Sequence, residues 1–163
     1  MPPPKLPPKP VKSSPRLIAK RGVLGFEEKK ESEHDGVIDF ICRRKFGTSH
    51  KWFGNRNLQK ESPLEISGKR YYPDLIGLKR GSNEPSVVAE VETDKGLTKR
   101  ETAQWRKYAG FGLDFLLFVP FDSIEKAKRL CLENDVSCSI YSYQTVQDWL
   151  GRKTLDLKKQ FDV

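Results

Sequence analysis

No run of 18 apolar residues occurs anywhere in the 163-residue chain, so no segment is expected to span a membrane. Cysteine is scarce: Cys42, Cys131 and Cys138 form an odd set with neither a CxxC pair nor a Cys/His spacing suited to zinc. Such a set reads as reduced, core-packing thiols of an intracellular, cytoplasmic protein. No apolar stretch follows the basic start, which argues against a secretory signal, and the early prolines argue against an amphipathic transit helix. No internal repeat is present. What the chain does have is charge. Its 30 Lys and Arg against 22 Asp and Glu give +8, a balance that suggests a polyanionic partner or a basic appendage.

The charge is unevenly placed. Lys5, Lys9, Lys12, Arg16, Lys20 and Arg21 lie in residues 1–26, with no acid before Glu27, which leaves 24 cations against 22 acids in the rest. Seven of the 11 prolines fall in the first 15 residues. Residues 1–26 therefore read as a Pro/Lys-rich disordered tail with polyproline II character, unable to bury enough surface to offset its ordering entropy. Residues 27–151 read as the folded domain and 152–163 as a polar C-terminal tail.

Within the domain, Ser32 can cap a helix over 32–46, with Val37, Ile38, Ile41 and Cys42 as its apolar stripe. Residues 47–68 read as a polar loop that could hold a short strand. Strands are expected at 70–79 and 86–93, joined by Gly81-Ser82-Asn83 as a hairpin. A helix over 97–109 stops at Gly110, and the apolar run 113–119 suits a strand buried on both faces. A helix at 123–134, a strand at 138–143 and a helix at 144–151 complete the order. The expected fold class is α/β: a mixed sheet of four to five strands flanked by helices on both faces.

Three carboxylates lie on the expected strands rather than in loops. Glu90 and Glu92 are two apart and share a face, and the hairpin can bring Asp74 beside them. An isolated Glu-x-Glu is more often a solvated face, and it is the combination with Asp74 that points to a site. Clustered like charges on strands repel unless a cation sits between them. Oxygen donors suit Mg²⁺ or Mn²⁺, with the Val91 carbonyl as a further ligand.

Tyr72-Pro73-Asp74, then Glu90-Val91-Glu92, and then Gln104-Trp105-Arg106-Lys107-Tyr108 resemble, in that order, the motifs of the PD-(D/E)xK nuclease superfamily. The last resembles the QxxxY motif of its RecB-type branch, and the similarity covers roughly residues 32–143. The resemblance implies a restriction-endonuclease-like fold and metal-dependent hydrolysis of DNA phosphodiester bonds, with RNA not excluded. It implies that Asp74 and Glu90 ligate the metal and that Gln104 and Tyr108 orient water or phosphate. Glu92 stands where the family has lysine, as general base or second-metal ligand. Lys95 and Lys99 are then the candidates for a displaced lysine that contacts the nucleic acid. In this superfamily the first helix lies beside the site, so Glu33 and His34 are candidates to complete the metal shell.

Lys51, Trp52 and Arg56 in the polar loop are candidate nucleic-acid contacts, with Trp52 stacking on a base or anchoring the loop in the core. Paired cuts in duplex DNA need two sites, which would make a homodimer, although no residue marks an interface. The missing lysine leaves open a catalytically inactive nucleic-acid-binding module on the same fold. A third reading is an interaction protein whose proline-rich tail docks a partner.

Overall fold

The computed structural model describes residues 32–163, except 45, 47, 48 and 58. The proline-rich segment of residues 1–26 lies outside the described residues. Helix α1 (Glu33–Arg44) starts at Ser32, whose Oγ accepts the Asp35 N–H at 3.2 Å. Its stripe of Val37, Ile38 and Ile41 is buried.

The region expected as loop contributes two strands, β1 (His50–Gly54) and β2 (Leu64–Ile66). The strand expected at 70–79 is split into β3 (Lys69–Tyr71) and β4 (Leu75–Lys79). Pro73 lacks an N–H and interrupts the run just ahead of Asp74. There follow β5 (Pro85–Val91), α2 (Thr102–Ala109), β6 (Asp114–Pro120), α3 (Ile124–Glu133), β7 (Ser139–Gln147) and β8 (Lys153–Asp162).

Six strands form one sheet in the order β1-β4-β5-β6-β7-β8, and β2 with β3 make a separate hairpin. The pairs β1–β4, β4–β5 and β7–β8 are antiparallel, whereas β5–β6 and β6–β7 are parallel. Each parallel pair is joined by a helix, as a crossover requires. Side chains alternate across the sheet. Val88, Leu117 and Val119 pack in one core with Trp105 and Tyr108 of α2 and Ala127 and Cys131 of α3. Val87, Ala89, Val91 and Phe118 pack in another with α1. The sheet is thus mixed and covered by helices on both faces. Among the described residues, no helix is long and apolar enough to cross a membrane.

Two expectations at the C-terminal end are corrected. Residues 144–151 do not form a helix. β7 continues to Gln147, because β-branched Thr145 and Val146 find a partner strand in β8. Residues 152–163 are not a polar tail but supply β8. A bulge shifts the β7–β8 register between Ile140 and Tyr141, where two positions on β8 oppose one on β7. Beyond it the inward face changes, so Leu155 and Leu157 pack on one core and Phe161 and Val163 on the other. The alternation that betrays a strand is broken in the sequence by that extra residue. The sheet accordingly has six strands rather than four or five. Cys131 and Cys138 are buried free thiols with their Sγ atoms 3.7 Å apart, and Cys42 is free and half-buried.

Candidate functional site

Asp74 and Glu90 face each other where the β4–β5 ladder ends. The last backbone pair before them is Leu75 with Ala89. Beyond it the side chains take over: Glu90 Oε1 accepts the Asp74 N–H at 3.1 Å, and Asp74 Oδ2 accepts the Val91 N–H at 2.8 Å. Each carboxylate thus satisfies a donor of the other's strand. Asp74 is further fixed from its N-terminal side by Asn55, which is 4% exposed. The Asn55 N–H donates to the Asp74 carbonyl at 2.8 Å, and its Nδ2 donates to the Pro73 and Ser62 carbonyls at 2.7 Å. Its Oδ1 accepts the N–H groups of Glu61 and Ser62. Sequence reasoning did not single out Asn55, and a lone amide in a polar loop carries no signal that it will be buried.

Helix α2 holds the other two sides of the acidic pair. Gln104 Nε2 donates to Glu90 Oε2 at 3.1 Å, and Trp105 Nε1 donates to Glu92 Oε1 at 3.0 Å. Trp105 is fully buried, so its indole N–H needs an acceptor, and Glu92 is that acceptor. Tyr108, one turn beyond Gln104, is 5% exposed and packs against Phe111 and Phe115. Burial, then the charges of Glu90 and Asp74, push its hydroxyl pKa upward. The turn after Glu92 is tied down at Asp94, which accepts from Ser123 Oγ at 2.8 Å and from Lys126. Within that turn Gly96 leaves room for the carboxylate. A Cβ there would stand 2.3 Å from Glu92 Oε2.

From α1, His34 Nε2 lies 3.0 Å from Asp74 Oδ2 and its Nδ1 lies 2.9 Å from Asp35 Oδ1. Burial opposes the imidazolium, but the hydrogen bond and charge of Asp74, with those of Asp35, outweigh it and raise the pKa to about 9. The Tyr143 hydroxyl on β7 lies 2.8 Å from the Glu92 carbonyl and 3.0 Å from Glu33 Oε1, sharing its proton between them.

Together these residues surround a cleft of about 400 Å³ lined by Glu33, His34, Asp74, Glu90, Glu92 and Glu101, among others. Glu90 is 4% exposed. Burial, then the Asp74 charge, holds its carboxyl well above the usual range. Burial pushes Glu92 up to about 7, the Trp105 hydrogen bond partly offsetting it. No lysine or arginine occurs among the described lining residues.

The expected nucleic-acid contacts are scattered. Lys51 pairs with Leu78 and Trp52 with Gly77, toward the end of β4 away from Asp74. Both line a separate hollow of about 830 Å³ with Lys79 and Arg80. Trp52 is not available for base stacking: it is 8% exposed, lies over Gly77 and donates its indole N–H to the Phe46 carbonyl. Arg56 is engaged with Asp39 at 2.5 and 2.6 Å. Lys95 and Lys99 are exposed just beyond Glu92, and neither lines the cleft.

The donor set suits a hard cation: carboxylate oxygens of Asp74, Glu90 and Glu92, with the Val91 carbonyl on the strand between them. Among the described residues, no three His, Cys, Asp or Glu side chains converge at ligating distance. The carboxylates are instead held by protein donors, as the bonds from Val91, Asp74, Gln104 and Trp105 show. Comparison of the chain with family models, with curated proteins and with solved structures finds no match.

Proposed function

We propose that the protein is a metal-dependent nuclease that hydrolyses DNA phosphodiester bonds in the acidic cleft, on a restriction-endonuclease-like fold. The observation that carries this reading is Glu90, a carboxylate 4% exposed with Asp74 at its side and Glu92 two residues on. Acids fixed this closely repel one another when ionised, and among the described lining residues only His34, beside Asp74, offers a compensating positive charge. The order of α1, the antiparallel strands β1, β4 and β5, then α2 and the parallel β6 also supports it. So does Gln104 on α2, which reaches Glu90.

Asp74, Glu90 and Glu92, with the Val91 carbonyl, are the residues that would hold Mg²⁺ or Mn²⁺. When bound, the cation supplies an acidified water and neutralises charge gathering on the phosphate. Glu92, whose carboxyl is held above its usual range by burial in the metal-free protein, serves either as a further metal ligand or as the base that takes the water's proton. Trp105 orients that carboxylate, and Gln104 and Asn55 fix the positions of Glu90 and Asp74. In the absence of metal, the His34 imidazolium between Asp74 and Asp35 provides the compensating charge.

The absence of lysine and arginine from the described cleft lining favours one other reading, a nucleic-acid-binding module without catalysis. The two separate in one experiment. The protein is incubated with single-stranded, duplex and branched DNA, and with RNA, with Mg²⁺ or Mn²⁺ or with chelator. Cleavage that needs the metal and is lost in Glu90→Ala supports the nuclease. Binding without cleavage, or a Glu90→Ala variant as fast as the parent, overturns it.

A further inference from the structure

The β7–β8 hairpin outgrows the sheet it belongs to. β7 pairs with β6 only as far as Tyr143, opposite Pro120. From Gln144 to Gln147 it pairs with β8 alone, ending at Gln147 opposite Lys153. Four residues at ~3.3 Å each make a two-stranded arm about 13 Å long. Along the arm, Thr145, Lys153 and Thr154 share a small hollow with Gly36 and Phe40 of α1.

The arm ends in a built tip. The Asp148 N–H donates to the Arg152 carbonyl at 2.9 Å, and the Asp148 carbonyl accepts the Gly151 N–H at 2.9 Å. Asp148 Oδ1 accepts the N–H groups of Leu150 and Arg152 at 2.9 and 2.8 Å, and Oδ2 accepts Arg152 Nε at 2.7 Å. Gly151 takes φ +77°, open to glycine at little cost. One aspartate therefore sets the whole turn, and what the turn displays is Trp149, 89% exposed, beside Leu150, 54% exposed.

The arm leaves the sheet at the end where the acidic cleft lies. β5, β6 and β7 are parallel, so their C-terminal ends lie together, and Tyr143 at the root of the arm reaches the Glu92 carbonyl at 2.8 Å. Exposed Lys153 lies four residues past the tryptophan, and Arg152, three past it, is paired with Asp148. A flat ring with a cation nearby matches an unstacked base and a flanking phosphate. Two apolar residues offer a few hundred Å², too little for the ~1,200 Å² of a stable dimer.

We propose that the arm is a nucleic-acid probe: Trp149 stacks on an unpaired base of the polymer bound at the cleft, and Lys153 contacts a neighbouring phosphate. The inference rests on the nuclease reading for its partner, and it names the substrate class as DNA with unstacked bases.

Fluorescence tests it directly. Trp52 and Trp105 are 8% and 0% exposed, so the emission that acrylamide can quench belongs to Trp149. The full chain is titrated, with chelator and no metal, against a single-stranded oligonucleotide, a blunt duplex and phosphatidylserine vesicles. Single-stranded DNA is expected to shield the quenchable emission more than the duplex does. Trp149→Ala is expected to bind that strand about tenfold or more weakly, and Trp149→Phe to recover most of the affinity. The proposal is overturned if no oligonucleotide binds, if Trp149 stays quenchable in the bound state, or if Trp149→Ala binds like the parent. It is equally overturned if only vesicles, or raised protein concentration alone, shield the residue. Shielding of Trp149 in a parent protein that cleaves no DNA with Mg²⁺ or Mn²⁺ would support the arm while the nuclease reading fails. Metal-dependent cleavage with Trp149 unshielded would do the reverse.

Discussion

Glu90 is where one atom of difference tells most. In Glu90→Gln the shape is kept, and Gln104 can turn its amide to present oxygen to the new NH₂ group, so stability is expected to change by no more than about 1 kcal/mol. Cleavage is expected to fall roughly 10³-fold, the several kcal/mol a charged metal ligand supports. A fall in thermal midpoint as large as the fall in rate would mean a merely structural role. Gly96→Ala tests Glu92 from the other side. The added methyl must displace a carboxylate that Trp105 holds, so the rate is expected to drop up to about 100-fold with the fold intact. The metal-free protein should also report these groups through pH. Glu92, buried near Trp105, Asp74 and Glu101, keeps its proton up to about 7 instead of 4.5. His34, buried but bonded to Asp74 and Asp35, keeps its own up to about 9 instead of 6.5. In both windows the folded state binds protons that the unfolded chain releases, so stability falls as pH rises. Thermal melts in chelator should show the midpoint falling from about pH 5 to about pH 9, the first part reduced by Glu92→Gln, with Glu90 also contributing to it, and the second removed by His34→Gln. A midpoint that climbs over that range contradicts the assignment. Asp74, Glu90 and Glu92 were legible because charge beside apolar strand residues is conspicuous, although only Glu90 lies within a strand, with Asp74 just before β4 and Glu92 just after β5. Asn55 and Trp105 were not, because a residue that positions another looks, in sequence, like loop or core.

At the scale of elements, the central strands and both crossovers were readable from apolar runs such as Leu113–Val119 that need no partner to be recognised. The edges were not. β1 carries His50 and Lys51, and β8 is rich in lysine, as edge strands that discourage further pairing tend to be. Such strands exist because a neighbour offers a ladder, which local propensity does not record. Removing residues 153–163 should therefore do far more than trim a tail. It strips β7 of its antiparallel partner, breaks the bonds between Cys138 and Val163, and uncovers Leu155, Leu157 and Phe161 contacts in both cores. The shortened chain is expected to lose cooperative unfolding in circular dichroism and to expose apolar surface to a hydrophobic dye. An unchanged melt would refute the structural role of β8.

Over the whole molecule, the +8 divides into a basic leading segment and a nearly balanced remainder whose cleft is acidic. On the proposed nuclease reading, attraction to phosphate and chemistry on phosphate fall to different parts of the chain. Deleting residues 1–26 should weaken DNA binding and flatten its salt dependence by up to ~5 in the log–log slope, for six cations. The maximal cleavage rate at saturating DNA should be unaffected, and a loss there would place the segment in the chemistry. The bond from Tyr143 to Glu33 joins positions 110 apart in sequence. Closing so long a loop is entropically late, after local helices and hairpins have formed. The cleft borders on that bond and draws on α1, β4, β5 and α2 as well. A nascent chain on the ribosome, with β7 still in the exit tunnel, therefore lacks the Tyr143 contact to Glu92 and Glu33. Completion of the cleft is thereby coupled to the docking of β7, well after β4 and β5 have been made.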